Sequence, residues 1–151
     1  MQGSNDRAVH TLNSLIETTL DSANGYKEAA ENTQSPEFRS MFAERSTRRM
    51  DLVRQLQQEV RTFGGEPETD QSMMGKAHNK FVDLKNALTG GPNDKAVIDE
   101  VERGEDVIKA KYEQALRQDD LPAPVREMVS TAYTAIKADH DEVSRLKHSM
   151  H

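Results

Sequence analysis

Four charged side chains stand at positions where a helical protein places its core. They interrupt series of apolar residues spaced three and four apart, and they are Arg45, Arg49, Glu105 and Asp139. An unpaired charge buried at such a position costs several kcal/mol, whereas pairing with an opposite charge offsets much of that cost. We therefore expect a core ion pair in which Arg49 binds Glu105 or Asp139 in a bidentate manner. The alternative is that these residues lie at the edge of the apolar series, in solvent.

The composition indicates one globular domain. The chain has 151 residues, which is long enough for a core, and we predict a single domain over residues 1–151. Hydrophobic residues make up 34% and charged residues 30%, with no Trp, so Leu, Val, Ile, Ala and Met must supply the core. Disorder is excluded because the apolar residues recur at helical spacing.

The net charge and the absence of cysteine limit which binding partners and which cellular compartment fit this chain. A net charge of −6 with interspersed signs argues against nucleic acid, because phosphate binding needs a basic face. The absence of cysteine excludes disulfides and thiolate metal sites, and it fits a reducing compartment. No apolar run approaches the length of a membrane span, and the polar N-terminus does not read as a signal peptide. The expectation is a cytoplasmic protein.

The chain contains one helix pattern twice. Residues 16–30 can be laid over residues 102–116, which places Tyr26 on Tyr112 and Thr19 on Glu105. A second long helix pattern follows each copy, and only short links separate the two patterns within each half. The sequence therefore predicts an all-α fold built from two antiparallel helical hairpins.

The boundaries of the helices follow from turn and capping residues. Long helices are predicted from residue 5 or 6 to residue 32, and over 36–63, 94–117 and 124–148, with a shorter helix over 72–88. Ser35 and Pro36 start the second helix and Gly64-Gly65 ends it. Residues 64–93 form a crossover that contains the short helix, and residues 1–4 are expected to be disordered or partly of vector origin.

The full chain resembles a proteobacterial ferritin-like family of unknown function. The motifs that carry the resemblance are Leu15-Ile16-Glu17 to Asp21, Gly25-Tyr26, Phe63-Gly64-Gly65-Glu66-Pro67, Glu102-Arg103-Gly104-Glu105-Asp106 and Asp139-His140. The resemblance implies a ferritin-like four-helix bundle with the short extra helix in its crossover. It brings no activity with it, since members of this family are described only by their fold.

A ferritin-like fold raises the question of a di-iron centre. Such a centre takes one Glu from each of two helices and a Glu-x-x-His pair from each of the other two. Carried over by position, Glu105 and His140 match two of these six ligands. The other four positions hold Thr19, Arg49, Leu52 and Lys137. We therefore expect no cofactor and no ferroxidase or oxygenase chemistry, with the Arg49 cation in the former metal position and His140 beside the ion pair.

Two functions from different classes remain. The first, which we favour, is a non-enzymatic stress-associated or interaction protein, a homodimer with an unknown protein partner; the stress association is implied by the resemblance. The second is a metal-binding protein or oxidoreductase in which Glu105, His140 and Asp139 hold one divalent metal ion, since carboxylate oxygen and imidazole nitrogen are suitable ligands. The two functions can be distinguished by measuring whether the purified protein contains one metal ion per chain.

Overall fold

Four long α-helices make up the part of the chain that the structure describes. The computed structural model describes residues 2–69 and 93–149, and no strand occurs in these two segments. The helices are α1 (Gln2–Asn32), α2 (Pro36–Thr62), α3 (Asp94–Leu116) and α4 (Ala123–Ser149). The predicted all-α bundle of two hairpins is confirmed. The short helix predicted over 72–88 lies outside the described residues.

The helix boundaries agree with the capping residues. Ser35 precedes α2 and its hydroxyl oxygen accepts a hydrogen bond from the backbone nitrogen of Phe38 at 3.4 Å, while Pro36 fills the first helical position. The start of α1 is the largest difference, because this helix begins at Gln2 within the stretch expected to be disordered. Helical backbone therefore extends α1 by about one turn beyond the predicted start.

Two glycines end α2 in a Schellman motif. Gly64 adopts a positive φ of 81°, a conformation that L side chains rarely adopt. The backbone nitrogen of Gly65 donates to the carbonyl of Val60 at 2.9 Å, and that of Gly64 donates to the carbonyl of Arg61 at 3.0 Å. A Cβ at Gly65 would approach the side chain of Val9 to 2.6 Å, so this glycine also lets the turn lie close against α1.

Side chains fix both described ends of the crossover to the first hairpin. The Asn13 amide donates to the carbonyl of Glu66 at 3.0 Å and accepts from the backbone nitrogen of Glu68 at 2.8 Å. At the start of α3, the Asp94 carboxylate accepts from the backbone nitrogens of Gln34 and Ser35 at 2.7 and 3.0 Å. These contacts hold α3 in register with the α1–α2 turn.

The helices pack so that α1 contacts α2 and α3, and α3 also contacts α4. The α2–α4 side of the bundle is packed less tightly, and the side chains there leave a cleft. No helix within residues 2–69 and 93–149 is apolar over a length sufficient to cross a membrane.

The core is formed by one face of each helix. On α1, the spacing of three and four residues predicts that six residues face a partner helix, and all six are buried: Leu12, Ile16, Thr19, Ala23, Tyr26 and Ala30. On α2 the same spacing predicts an inward face that includes Phe38, Leu52 and Phe63, and this is wrong because all three are only partly buried. Val53 and Val60 are buried instead. Neighbouring residues of a helix differ by 100° around its axis, so the buried face of α2 is rotated by less than 100° from the predicted face.

Candidate site at the centre of the bundle

A buried ion pair between Arg49 of α2 and Glu105 of α3 occupies the centre of the bundle. Only 3% of the Arg49 side chain and none of the Glu105 side chain is exposed. Arg49 Nη1 donates to Glu105 Oε1 at 2.8 Å and Nη2 donates to Oε2 at 3.0 Å, which is the parallel bidentate geometry. The structure thus places the two side chains in the arrangement that the sequence suggested.

The same guanidinium reaches the two remaining helices. Arg49 Nη2 donates to Asp139 Oδ2 of α4 at 3.1 Å, and Nη1 donates to the Ser22 hydroxyl of α1 at 2.6 Å. One side chain of α2 therefore hydrogen-bonds to all three other helices. Because guanidinium donors lie in a fixed plane, this arrangement sets the rotation of each helix relative to α2.

Two further arginines of α2 surround the Asp139 carboxylate. Arg45 Nη2 lies 3.4 Å from Asp139 Oδ1 and also pairs with Glu142, while Arg48 Nη2 lies 3.5 Å from the same Asp139 oxygen. Asp139 is thus within 3.5 Å of three guanidinium groups. The three cations around Asp139 come from α2, and the carboxylates that they reach on other helices, Glu105, Asp139 and Glu142, come from α3 and α4.

Tyr26 of α1 forms one wall of the charged network. The guanidinium carbons of Arg45 and Arg49 lie 5.5 and 5.4 Å from the centre of its ring, within range of a cation–π interaction. Arg45 Nη1 also donates to the Tyr26 hydroxyl at 3.4 Å. Burial, reinforced by the Glu105 carboxylate, raises the pKa of Tyr26 above its ordinary value, so the hydroxyl stays neutral.

Electrostatics keeps Arg49 charged despite its burial. Burial by itself lowers the pKa of a guanidinium, but the Glu105 carboxylate, Tyr26 and the Asp139 carboxylate together outweigh that effect and raise the pKa of Arg49 above its ordinary value. Arg49 therefore stays charged within its ion pair.

At Thr19, which stands where the first helix of a di-iron bundle would supply its Glu ligand, the structure has a hydrogen bond between uncharged groups. The Thr19 hydroxyl donates to the carbonyl of Leu15 at 2.6 Å and lies 2.8 Å from the Tyr112 hydroxyl. A threonine hydroxyl has a single proton, so Tyr112 is the donor in the second contact. Burial raises the pKa of Tyr112 to about 12, which preserves that proton.

His140 does not join Glu105 and Asp139. Its Nε2 lies 2.6 Å from Asp106 Oδ1 and its Nδ1 lies 3.2 Å from Asp141 Oδ1, toward the surface between α3 and α4. Burial acts to lower the pKa of His140, but the hydrogen bonds to these carboxylates outweigh it and raise the pKa above its ordinary value. The expected position of His140 beside the central ion pair was wrong, because His140 points about 100° away from Asp139 around α4.

The residues at the six carried-over ligand positions do not fit a di-iron centre. Arg49 and Thr19 are held in the hydrogen bonds described above, His140 is turned outward, and Lys137 is 53% exposed beside Asp141. In the described segments, no group of three or more His, Asp and Glu side chains is arranged to hold a metal ion.

Sequence reasoning missed three members of the network, namely Ser22, Arg48 and Glu142. A signal existed for all three, since each follows an inward residue by three positions: Ser22 follows Thr19, Arg48 follows Arg45 and Glu142 follows Asp139.

The arrangement of the four helices is that of a ferritin-like four-helix bundle. Among solved structures, a mutant of Dps1 from Mycobacterium smegmatis superimposes with a TM-score of 0.83 at 10% identity, covering 97% of this chain and 99% of that one. Dps from the same organism superimposes with a TM-score of 0.80 at 11% identity, covering 95% and 82%, and its tetragonal form gives 0.81 at 11% identity, covering 95% and 87%. At these identities the likeness concerns the fold alone.

The sequence assigns the chain to a particular family within this class. Residues 7–118 match the family described as Domain of unknown function (DUF2383), and the chain belongs to that family. The matched region includes most of α1 and all of α2 and α3, and therefore Arg49 and Glu105, whereas Asp139 of α4 lies beyond it. No curated protein matches the chain.

Proposed function

We propose that this protein is a non-enzymatic ferritin-like bundle in which the Arg49 guanidinium replaces a metal ion at the meeting point of the helices. The observation that carries the proposal is the bidentate contact of Arg49 with Glu105, together with its third bond to Asp139. The protein then acts as a cytoplasmic stress-associated or interaction protein and not as a catalyst.

Electrostatics supports an arginine in place of a metal. Both oxygens of Glu105 already accept hydrogen bonds from Arg49, and the outer oxygen of Asp139 faces Arg45 and Arg48. A divalent ion about 4 Å from the guanidinium would be repelled by roughly 8 kcal/mol at an effective dielectric constant of about 20. An ion bound to Glu105 would therefore have to displace Arg49 first.

The test is the metal content of the untagged protein. We expect iron, manganese and zinc to remain far below one ion per chain after incubation with each metal and desalting, with no ferroxidase activity. Stoichiometric metal in the wild type that is lost in Glu105→Gln and His140→Gln would contradict the proposal. That result would favour the alternative, a metal-binding protein or oxidoreductase using Glu105, Asp139 and His140.

A variant provides a positive control for the same measurement. Arg49→Ala removes the cation and leaves the Glu105 and Asp139 carboxylates facing an uncharged gap, which suits a divalent metal better than the wild-type site does. We expect this variant, where it stays folded, to take up more metal than the wild type. Arg54→Ala removes an exposed cation on the same helix and should bind no more than the wild type.

The proposal includes a homodimer. Sedimentation velocity of the untagged protein should give twice the chain mass of 17.0 kDa. A monomer, or a larger closed assembly, would contradict this part of the proposal without affecting the metal result.

The stress-associated role rests on the resemblance to ferritin-like proteins and needs its own test. Abundance of the protein in its host should rise after starvation or peroxide treatment, measured by quantitative proteomics against unstressed cells. Unchanged abundance under both treatments would leave the interaction role and remove the stress association.

A further inference from the structure

The cleft between α2 and α4 lies beside the central ion pair, since Arg49 and Asp139 form part of its wall, and it is large enough for a small molecule. Its volume is about 510 Å³, within the range of ligand-binding sites. The apolar part of its wall consists of Leu52 on α2 and Met128, Ala132, Ala135 and Ile136 on α4. The small side chains of the two alanines leave room between helices that are packed less tightly than the others.

The cleft is elongated along the helix axes. On α4 its wall runs from Pro124 to Asp139, which corresponds to about 22 Å at 1.5 Å per residue. Its charged residues lie at both ends: Arg48, Arg49 and Asp139 at one end and the exposed Glu127 near the other, with Leu52 and Ala135 between them. Cationic side chains line only the Arg48 end, so an anionic group is favoured there and disfavoured beside Glu127. Such a shape suits a narrow ligand with one polar end.

Arg48 supplies a cation at that end. Its side chain is 49% exposed, its Nη2 lies 3.5 Å from Asp139 Oδ1 and its Nε lies 3.8 Å from Glu44 Oε1. Both distances are longer than those of good charge-assisted hydrogen bonds. Asp139 is bound more closely by Arg49, at 3.1 Å. The Arg48 guanidinium is thus held at the mouth of the cleft with donor capacity for an anion.

We propose that the cleft binds a small amphipathic carboxylate, of the class of medium-chain fatty acids. The carboxylate is bound by Arg48, whose planar fork of donors matches two carboxylate oxygens. The alkyl chain lies along Leu52, Met128 and Ala135, where it removes apolar surface from water. This binding does not depend on the proposed function of the central network.

Calorimetry with decanoate, below its micelle concentration, tests the proposal on the full chain. We expect saturable binding of one decanoate per chain. Arg48→Gln should weaken it by about tenfold, as expected for loss of a charge-assisted hydrogen bond. Arg54→Gln is the matched control, because Arg54 is exposed on the same helix, pairs with Asp51 and does not line the cleft. It should bind decanoate as the wild type does.

Two further substitutions test whether decanoate binds in the cleft or elsewhere on the surface. Ala135→Phe fills the cleft at an exposed position of α4 and should abolish binding, whereas Ser130→Phe places the same ring on an exposed position outside the cleft and should not. Decyltrimethylammonium has the same chain length with a cationic end, and we expect it to bind far more weakly than decanoate.

Several results would overturn the proposal. These are no saturable binding of decanoate, equal binding of decyltrimethylammonium, or binding that Arg48→Gln and Ala135→Phe leave unchanged. A change of particle mass in sedimentation with Ala135→Phe, without a change in decanoate affinity, would instead identify the cleft as a contact between two copies of the chain.

Discussion

The hydroxyl groups of Thr19 and Tyr112 lie 2.8 Å apart and join α1 to α3 across the boundary of the internal repeat. In the alignment of the two copies, Thr19 corresponds to Glu105 and Tyr112 corresponds to Tyr26. Tyr26 contacts Arg45 and Arg49, beside Glu105, and its ring also packs against Phe42. Each tyrosine therefore lies near the aligned inward residue of the other copy: Tyr112 near Thr19, in an uncharged layer, and Tyr26 near Glu105, in a charged layer.

The two substitutions that break the Thr19–Tyr112 hydrogen bond should have unequal effects on the free energy of unfolding. Removing one hydroxyl costs less than leaving a buried hydroxyl without a partner. Tyr112→Phe leaves Thr19 bonded to Leu15 and should cost about 0.5–1.5 kcal/mol of unfolding free energy. Thr19→Val leaves the buried Tyr112 hydroxyl without this acceptor and should cost about 1–3 kcal/mol. The double variant should lose less than the sum in urea unfolding; strictly additive losses would show that the contact contributes nothing.

The central ion pair should be costly to break from one side. Arg49→Ala leaves buried carboxylates uncompensated and should lower the free energy of unfolding by about 3–5 kcal/mol. Arg54→Ala, which breaks an exposed pair with Asp51, should cost about 0–1 kcal/mol. Urea unfolding measures both.

A combined variant distinguishes charge imbalance from lost packing. Arg49→Met together with Glu105→Gln and Asp139→Asn removes the cation and its carboxylates at once, so it should be less destabilised than Arg49→Met alone. If the triple variant is the less stable of the two, the penalty of Arg49→Met does not come from unpaired charge.

The rotation of α2 can be checked by two leucines. Leu56 is fully buried, and Leu56→Ala should cost about 2–5 kcal/mol. Leu52 lines the open α2–α4 cleft and is only partly buried, so Leu52→Ala should cost clearly less. Equal urea midpoints for the two variants would contradict this orientation of α2.

His140 should make the stability of the bundle depend on pH. Its pKa is raised above the ordinary value of 6.5, because hydrogen bonds to Asp106 and Asp141 outweigh burial. The folded state therefore binds the proton more tightly than the unfolded state, so the stabilisation is fully present below pH 6.5 and is lost as the pH rises through the folded pKa. The difference in unfolding free energy between the wild type and His140→Gln should shrink over this interval.

Asp106→Asn provides the control for this effect. It removes the closer of the two carboxylates, 2.6 Å from His140 Nε2, and should bring the NMR-detected pKa of His140 down toward its ordinary value. A His140 titration that is the same in both proteins would mean that Asp106 is not its partner in solution.

Helix positions and core composition were predictable because they depend on local patterns. The Ser35-Pro36 start and the Gly64-Gly65 end of α2 are set by capping chemistry that a sequence displays directly. The pairing of Arg49 with Glu105 followed from the cost of burying either charge alone. The outward direction of His140 and the partial exposure of Leu52 were not predictable, because one step along a helix turns a side chain by 100° and spacing does not resolve that angle.

The distribution of charge between the two hairpins has a consequence for assembly. Arg45, Arg48 and Arg49 all belong to the first hairpin, and Glu105, Asp139 and Glu142 all belong to the second. Two first hairpins placed face to face would bring six guanidinium groups together, and two second hairpins would bring six carboxylates together. The repeat is therefore complementary rather than self-complementary: a hairpin can close only with its opposite kind, whether that comes from the same chain or is exchanged with another copy.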